Sequence, residues 1–170
     1  CCRLAENPAV YEKVIALLRN NNVQYEEMVH PPVKTSAEAA EVRKSPLESG
    51  AKAILVKNSK GMWLLVISAA KQIDWHLAKN IVKRTSLVPR EEVPSVTGCV
   101  PGAVPPFGSL LGDHPIHTFV DTSLKEQGEY IYFNAGLRTH TVKMKYEDFV
   151  RLENPEIVHF SKSADRKSVV

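Results

Sequence analysis

The stretch "AKAILVKNSKGMWLLVISA", residues 51–69, decides the fold. Two apolar, β-rich runs flank the polar turn Asn58-Ser59-Lys60-Gly61, and that pattern predicts a β-hairpin. A chain that commits to such a hairpin needs further strands or helices to cover its apolar faces.

Working outward, both are found. Residues 8–20 read as an amphipathic helix: Asn7 can cap it, Pro8 suits its first position, and Val10, Val14, Leu17 and Leu18 recur at helical spacing. "VQYEEMVH" reads as a short strand entering the "HPP" turn. In "TSAEAAEVR", Thr35 and Glu38 have the spacing of a capping box before a second short helix. After the hairpin, Asp74 caps "WHLAKNIVKR". There Trp75, Ala78, Ile81 and Val82 form an apolar stripe, opposite His76, Lys79, Asn80 and Lys83.

"PREEVPSV" reads as a helical turn that Pro89 starts and Pro94 limits. "IHTFVD", "YIYFNAG" and "HTVKMK" are three strands, "YEDFVRL" a helix and "EIVHF" a last strand. Strands and short helices interleave with no repeat. The expected fold is α+β: a single compact domain over residues 1–160, built on a mixed, partly closed, barrel-like sheet flanked by short helices. "SKSADRKSVV", residues 161–170, reads as a solvated, disordered tail.

Composition narrows the class. In 170 residues, 44% are hydrophobic and 24% charged, the balance of a globular protein. No apolar run approaches the ~20 residues of a membrane span, so no membrane partner is expected. The start, "CCRLAENPAV", has neither an initiator Met nor an apolar signal core, so no secretory segment is visible in it, and the missing Met suggests a trimmed chain or a piece of a longer polypeptide. Cys1, Cys2 and Cys99 make no disulfide framework, so a reducing, cytoplasmic setting is expected. The formal charge of +3 permits an acidic partner such as RNA.

The oddest stretch is "TGCVPGAVPPFGSLLG", residues 97–112, with four glycines, three prolines and no charge. Such a stiff, apolar loop is either a buried connection or the wall of a pocket. The hydrolase templates fail: there is no G-x-S-x-G elbow and no P-loop. Cys99 could serve as a nucleophile, but an apolar-flanked cysteine is more often a small core residue. "DHPIH" offers Asp113, His114 and His117, which His140 could join on a metal. Pro115 breaks any helix that would aim two of those imidazoles together, so a turn into a strand is preferred and no metal or other cofactor is expected. The face of His76, Lys79 and Lys83, with Arg84 following, could touch phosphates or simply be solvated. Lys52 stands directly before "AILV", either as a solubilising gatekeeper or as an ammonium beside a pocket. "NAGLRTH" places Asn134, Gly136, Arg138 and His140 in a tight connection, a plain hairpin or the polar rim of a site.

Taken in order, these pieces resemble the YbaK/prolyl-tRNA synthetase-associated family of editing domains, over roughly residues 10 to 152. The carriers are "TSAEAAEV", "AKAILVK", "LLVISAAKQIDWHLAK", "TGCVPGAVPPFG" and "YIYFNAGLRTHTVKM", with Gly102 to Pro106 matching the family's G-x-x-x-P loop. The resemblance implies a YbaK-like fold over residues 1–160 and a trans-editing enzyme. Such an enzyme hydrolyses the ester of a mischarged tRNA, commonly tRNA-Pro carrying alanine, cysteine or serine. It implies that Lys52 binds the phosphate backbone near the acceptor end, and that the loop through Gly98, Gly102 and Ala103 presents backbone groups to the aminoacyl carbonyl. His30, Thr35, Pro105, Pro106, Asn134, Gly136, His140 and Thr141 would line the amino-acid pocket. No side-chain nucleophile is then required: the ribose 2′-hydroxyl assists water, and fixed dipoles stabilise the oxyanion.

The implied partners are the acceptor end of tRNA and prolyl-tRNA synthetase or a multi-synthetase complex. Two departures bear on the amino acid removed: Ala53 where many members carry Thr or Asn, and Thr141 where some are acidic. The alternative is a non-catalytic tRNA-binding or docking module of a synthetase.

Overall fold

The computed structural model describes residues 9–31, 41, 46–100, 103–111 and 116–163. The hairpin of residues 51–69 lies at its centre. Strand β2 (Ala51–Asn58) pairs antiparallel with β3 (Gly61–Ser68) over their full lengths, from Ala51 opposite Ser68 to Asn58 opposite Gly61. Ser59 and Lys60 make the turn, and Asn58 Oδ1 accepts the Lys60 N–H at 2.7 Å.

Two more strands flank the N-terminal half of the chain: β1 (Tyr25–Val29), and β4 (Lys71–Ile73) directly after the hairpin. Further along come β5 (Ser86–Leu87), β6 (His117–Asp121), β7 (Tyr130–Asn134), β8 (His140–Lys145), β9 (Glu156–Val158) and β10 (Ser161–Ser163). A five-stranded mixed sheet runs β5-β2-β3-β6-β9, antiparallel on the β5 side and parallel from β3 to β9. A three-stranded antiparallel sheet runs β1-β8-β7, and β10 pairs with β4. A single parallel bridge, Gly50 to Tyr132, sets β7 beside the start of β2. The sheets therefore bend around one core, yet the described strands do not close into a barrel.

Pleating sorts the side chains. Leu55, Leu64, Val66, Val120, Ile131, Phe133, Val142 and Met144 face the main core, together with Val10, Val14, Ile15 and Leu18 of α1 (Ala9–Asn20). Val56, Leu65, Ile67 and Phe119 face a second, smaller core with Ile73, Ala78, Val82 and Phe160. The five-stranded sheet is thus covered on both faces, as its nearly unbroken apolar strands require.

Three expectations change. The segment after Asp74 is helical for one turn only, α2 (Trp75–Ala78). Asp74 does cap it, accepting from the N–H groups of His76 and Leu77. Turns then return Val82 to the second core, while Trp75, expected in the buried stripe, is 42% exposed. Pro94 does not limit its helix; it lies in the first turn of α3 (Val93–Thr97), where its missing N–H costs nothing. Residues 161–163 are a strand and not part of a tail, because β10 hydrogen-bonds the edge of β4. The second short helix expected at "TSAEAAEVR" falls almost wholly outside the described residues.

Asp121, at the end of β6, holds the β10 region in place. Its carboxylate is buried and accepts from the Phe160 N–H at 2.7 Å, Ser161 Oγ at 2.6 Å and the Ser123 N–H at 2.8 Å. The last of these fixes α4 (Ser123–Glu126). Burial alone would raise its pKa, but these donors outweigh that and hold it below the ordinary carboxylate value. Nearby, α5 (Tyr146–Glu153) ends on Glu153, which accepts from Ser109 Oγ at 2.5 Å and Thr118 Oγ1 at 2.7 Å.

Because Asp121 titrates lower in the folded chain than in the unfolded one, its stabilisation is complete above the ordinary aspartate value and fades as pH falls through the lower folded value. Asp121→Asn is expected to cost about 3 kcal/mol at neutral pH. Urea midpoints of wild type and variant should converge as pH drops below about 4.

Candidate active site

The Gly/Pro loop begins where α3 ends. Gly98 is the left-handed cap of that helix, φ 79°, and donates its N–H to the Pro94 carbonyl at 2.8 Å. Cys99 is 2% exposed and belongs to the main core, so it acts as packing and not as a nucleophile. Ala103, Pro105, Pro106 and Phe107 are buried, and Ala103 donates its N–H to the Val100 carbonyl at 3.0 Å. At its far end Gly108 is wedged against β6; a Cβ there would lie 2.2 Å from the Ile116 carbonyl oxygen. Both described ends of the uncharged loop are therefore built into the core.

It is joined to the "NAGLRTH" connection directly. Gly136, φ 89°, donates its N–H to the Ala103 carbonyl at 2.9 Å, and a Cβ on it would lie 2.7 Å from the Tyr11 backbone nitrogen. Only glycine combines that φ with so close an approach. His140 follows, its ring 4.9 Å from that of Tyr11 and its Nδ1 2.7 Å from Thr139 Oγ1. Tyr11 also donates to Glu27; burial first, and then that carboxylate, push its phenol up to about 12. Ala103, Gly136 and His140 thus gather against α1, with Pro105 and Pro106 in the same loop.

A second group lies on the opposite face of the three-stranded sheet. His30, 8% exposed, places Nε2 at 2.7 Å from Thr141 Oγ1 and Nδ1 at 2.9 Å from the Pro31 carbonyl oxygen. Thr141 is fully buried and lies 3.4 Å from Asn134 Oδ1, its cross-strand partner. A carbonyl can only accept, so Nδ1 carries a proton, and the single hydroxyl proton of Thr141 faces both His30 Nε2 and Asn134 Oδ1.

Lys52 joins this second group through the sheet. Lys52 and Asn134 each lie two residues past the Gly50–Tyr132 bridge, on the face turned away from the main core. The row Thr141, Asn134, Lys52 thus crosses three adjacent strands. Among the described residues, the one polar partner of the Lys52 ammonium is the Lys71 carbonyl oxygen, at 3.5 Å. Burial lowers its pKa. A half-buried ammonium holding a single long hydrogen bond is suited to receive an anion.

Thr35 and Gly102 lie outside the described residues, as do Asp113 and His114. His117 pairs with Glu156 at 3.2 Å, and no cluster of His, Cys, Asp or Glu suited to a metal exists among the described residues. His76, Lys79, Lys83 and Arg84 are exposed, and form no common helical face because α2 is one turn long. Asp121 had no signal in the sequence beyond a carboxylate ending an apolar strand.

With this geometry in view, the comparisons with known proteins are direct. The aminoacyl-tRNA editing domain family matches residues 30–152. The multifunctional Ser/Thr-tRNA deacylase ProXp-y of Escherichia coli strain K12 is 34% identical over 168 residues, covering 95% of this chain and 98% of its own. Its counterpart in strain O157:H7 matches equally. A structure described as a candidate trans-editing enzyme for prolyl tRNA synthetase superposes with TM-score 0.78 at 20% identity, covering 94% of this chain and all of its own. A hypothetical protein superposes with TM-score 0.79 at 22% identity over 88% of this chain and 99% of its own. The chain belongs to the aminoacyl-tRNA editing domain family, and with it to the carboxylic ester hydrolases that deacylate aminoacyl-tRNA. No described helix is long and apolar enough to cross a membrane.

The hydrogen-bond chain is directly testable. Nitrogen-15 NMR of the imidazoles should find His30 Nδ1 protonated. Thr141→Val, which strands a buried ring nitrogen, should destabilise by about 1–3 kcal/mol, and Thr141→Ser by less than about 1.

Proposed function

We propose that this chain acts in trans on a mischarged tRNA, hydrolysing the ester of a small wrong amino acid with Lys52 and the Gly/Pro loop positioning the acceptor end. The observation that carries the reading is the half-buried Lys52 ammonium with its single long hydrogen bond, level with Asn134 and Thr141. It meets the acceptor-end phosphates, where a charge-assisted contact outweighs the one it gives up. Asn134, Thr141 and, through Thr141, His30 face the aminoacyl group; Gly136 and His140 close its other side beside Pro105 and Pro106. Thr35 completes the pocket in the same proposal.

In the reaction, water attacks the ester carbonyl carbon, the bond to the ribose oxygen breaks, and that oxygen leaves with a proton. The vicinal ribose hydroxyl orients the water, so no protein base is needed. The N–H groups of Gly98 and Ala103 are already spent on Pro94 and Val100, so these residues act as rigid wall and not as oxyanion donors. The donor role is assigned to Gly102.

The amino acid is proposed to be alanine, cysteine or serine on tRNA-Pro; the name of the 34% identical relative adds threonine to the set to be tested. A compact pocket separates such near-isosteres by only about 1–3 kcal/mol, so overlapping activities are expected. Prolyl-tRNA synthetase or a multi-synthetase complex is the proposed partner that supplies the substrate.

A panel of alanyl-, seryl-, cysteinyl-, threonyl- and prolyl-tRNA tests this, with release of free amino acid followed over time. Hydrolysis of at least one of the first four, sparing prolyl-tRNA, is the expected outcome. Tight tRNA binding with no release from any would instead establish a non-catalytic docking module. Lys52→Ala should lower kcat/KM about 100-fold, or about 2.7 kcal/mol of transition-state stabilisation.

A further inference from the structure

We propose that the outer face of β7 and β8 is the track for the unpaired 3′ end of the tRNA, with Tyr132 and Tyr130 stacking successive bases and Lys143 and Lys145 meeting their phosphates. The proposal rests on the aminoacyl-tRNA reading above.

The pleat sets the arrangement. Ile131, Phe133, Val142 and Met144 face the main core, so Tyr130, Tyr132 and Asn134 on β7, with Thr141, Lys143 and Lys145 on β8, all face away from it. The register makes three cross-strand pairs on that face: Asn134 with Thr141, Tyr132 with Lys143, and Tyr130 with Lys145. Each pair is about 7 Å from the next along the strands. The first belongs to the candidate active site, so the aromatic and basic pairs lead straight away from where the ester would be held.

The side chains suit a nucleic-acid strand. The Lys143 ammonium lies 4.6 Å from the Tyr130 ring centroid and 5.8 Å from that of Tyr132. Tyr130 is 40% exposed, high for so large an aromatic on a strand. Beside it opens a groove of about 560 Å³ lined by Val23, Gln24, Tyr25, Glu26, Tyr130 and Lys143, within the range of small-ligand clefts.

In the free protein Lys143 pairs with Glu26 at 3.3 Å and Lys145 with Glu129 at 3.7 Å. Both glutamates are well exposed, and such pairs contribute little, so phosphates can replace them. Alternating aromatic and cationic side chains on an open sheet face are what sequence-tolerant binding of single strands requires. The unpaired 3′ end is common to the candidate substrates, whichever amino acid they carry.

The test uses the full chain and an uncharged tRNA with or without its last three nucleotides, at fixed salt. Wild type should bind the complete RNA more tightly. Tyr132→Ala and Tyr130→Ala should each weaken that binding roughly 5- to 100-fold and leave affinity for the truncated RNA unchanged. Tyr→Phe at either position, which keeps the stacking ring, should stay within about threefold of wild type. With a hydrolysed aminoacyl-tRNA, the alanine variants should raise KM and leave kcat within about twofold. The proposal is overturned if wild type does not discriminate the two RNAs, or if both alanine variants bind the complete RNA as wild type does. If the 3′ end is recognised through these tyrosines but no aminoacyl-tRNA is cleaved, the track stands and the deacylase reading falls.

Discussion

Strand β2 is shared by everything else in the molecule. It pairs with β3 along its whole length, carries β5 at its far end, and meets β7 through the single bridge at Gly50. That bridge has no second hydrogen-bonded pair behind it, so packing must hold the two sheets together. Ala51 and Ala53, both small, pack against the main core at this point. The bridge itself brings Lys52 level with Asn134, which β7 pairs with Thr141 of β8.

What could be read from the sequence follows from how local each signal is. The hairpin was legible because the strand period and the Asn58–Gly61 turn lie within one window. The strands "IHTFVD", "YIYFNAG" and "HTVKMK" were legible for the same reason, and each is present as read. "WHLAKNIVKR" misled because turns, like helices, return every third or fourth residue to a core; Val82 is buried and Ile81 half-buried without a continuous helix. Ser161–Ser163 had no apolar signature, since that edge strand is held by its backbone and by Asp121, forty positions earlier. No local pattern reports a partner so distant.

The site divides along the same line. Residue types in "NAGLRTH" and the Gly/Pro loop suggested a rim and a wall, and the Gly136 to Ala103 hydrogen bond does join them. Yet which residues share a face depends on the pleat and on β2 meeting β7. His140 and Thr141 are adjacent in sequence and fall on opposite faces, one against Tyr11 and the other against His30. Sequence proximity alone would have placed them together.

A deacylase built this way needs little chemistry of its own. The ester is already activated, so what a protein has to supply is position and a fixed charge. Each asks for rigidity more than for reactivity, and the described ends of the uncharged loop are fixed: α3 is capped at one end by Gly98, and Gly108 is clamped against β6 at the other. A nucleophile in such a wall would add a second ester to be hydrolysed. Its thiol, Cys99, lies buried in the core instead, and Lys52 is half-buried with a single long hydrogen bond among the described residues.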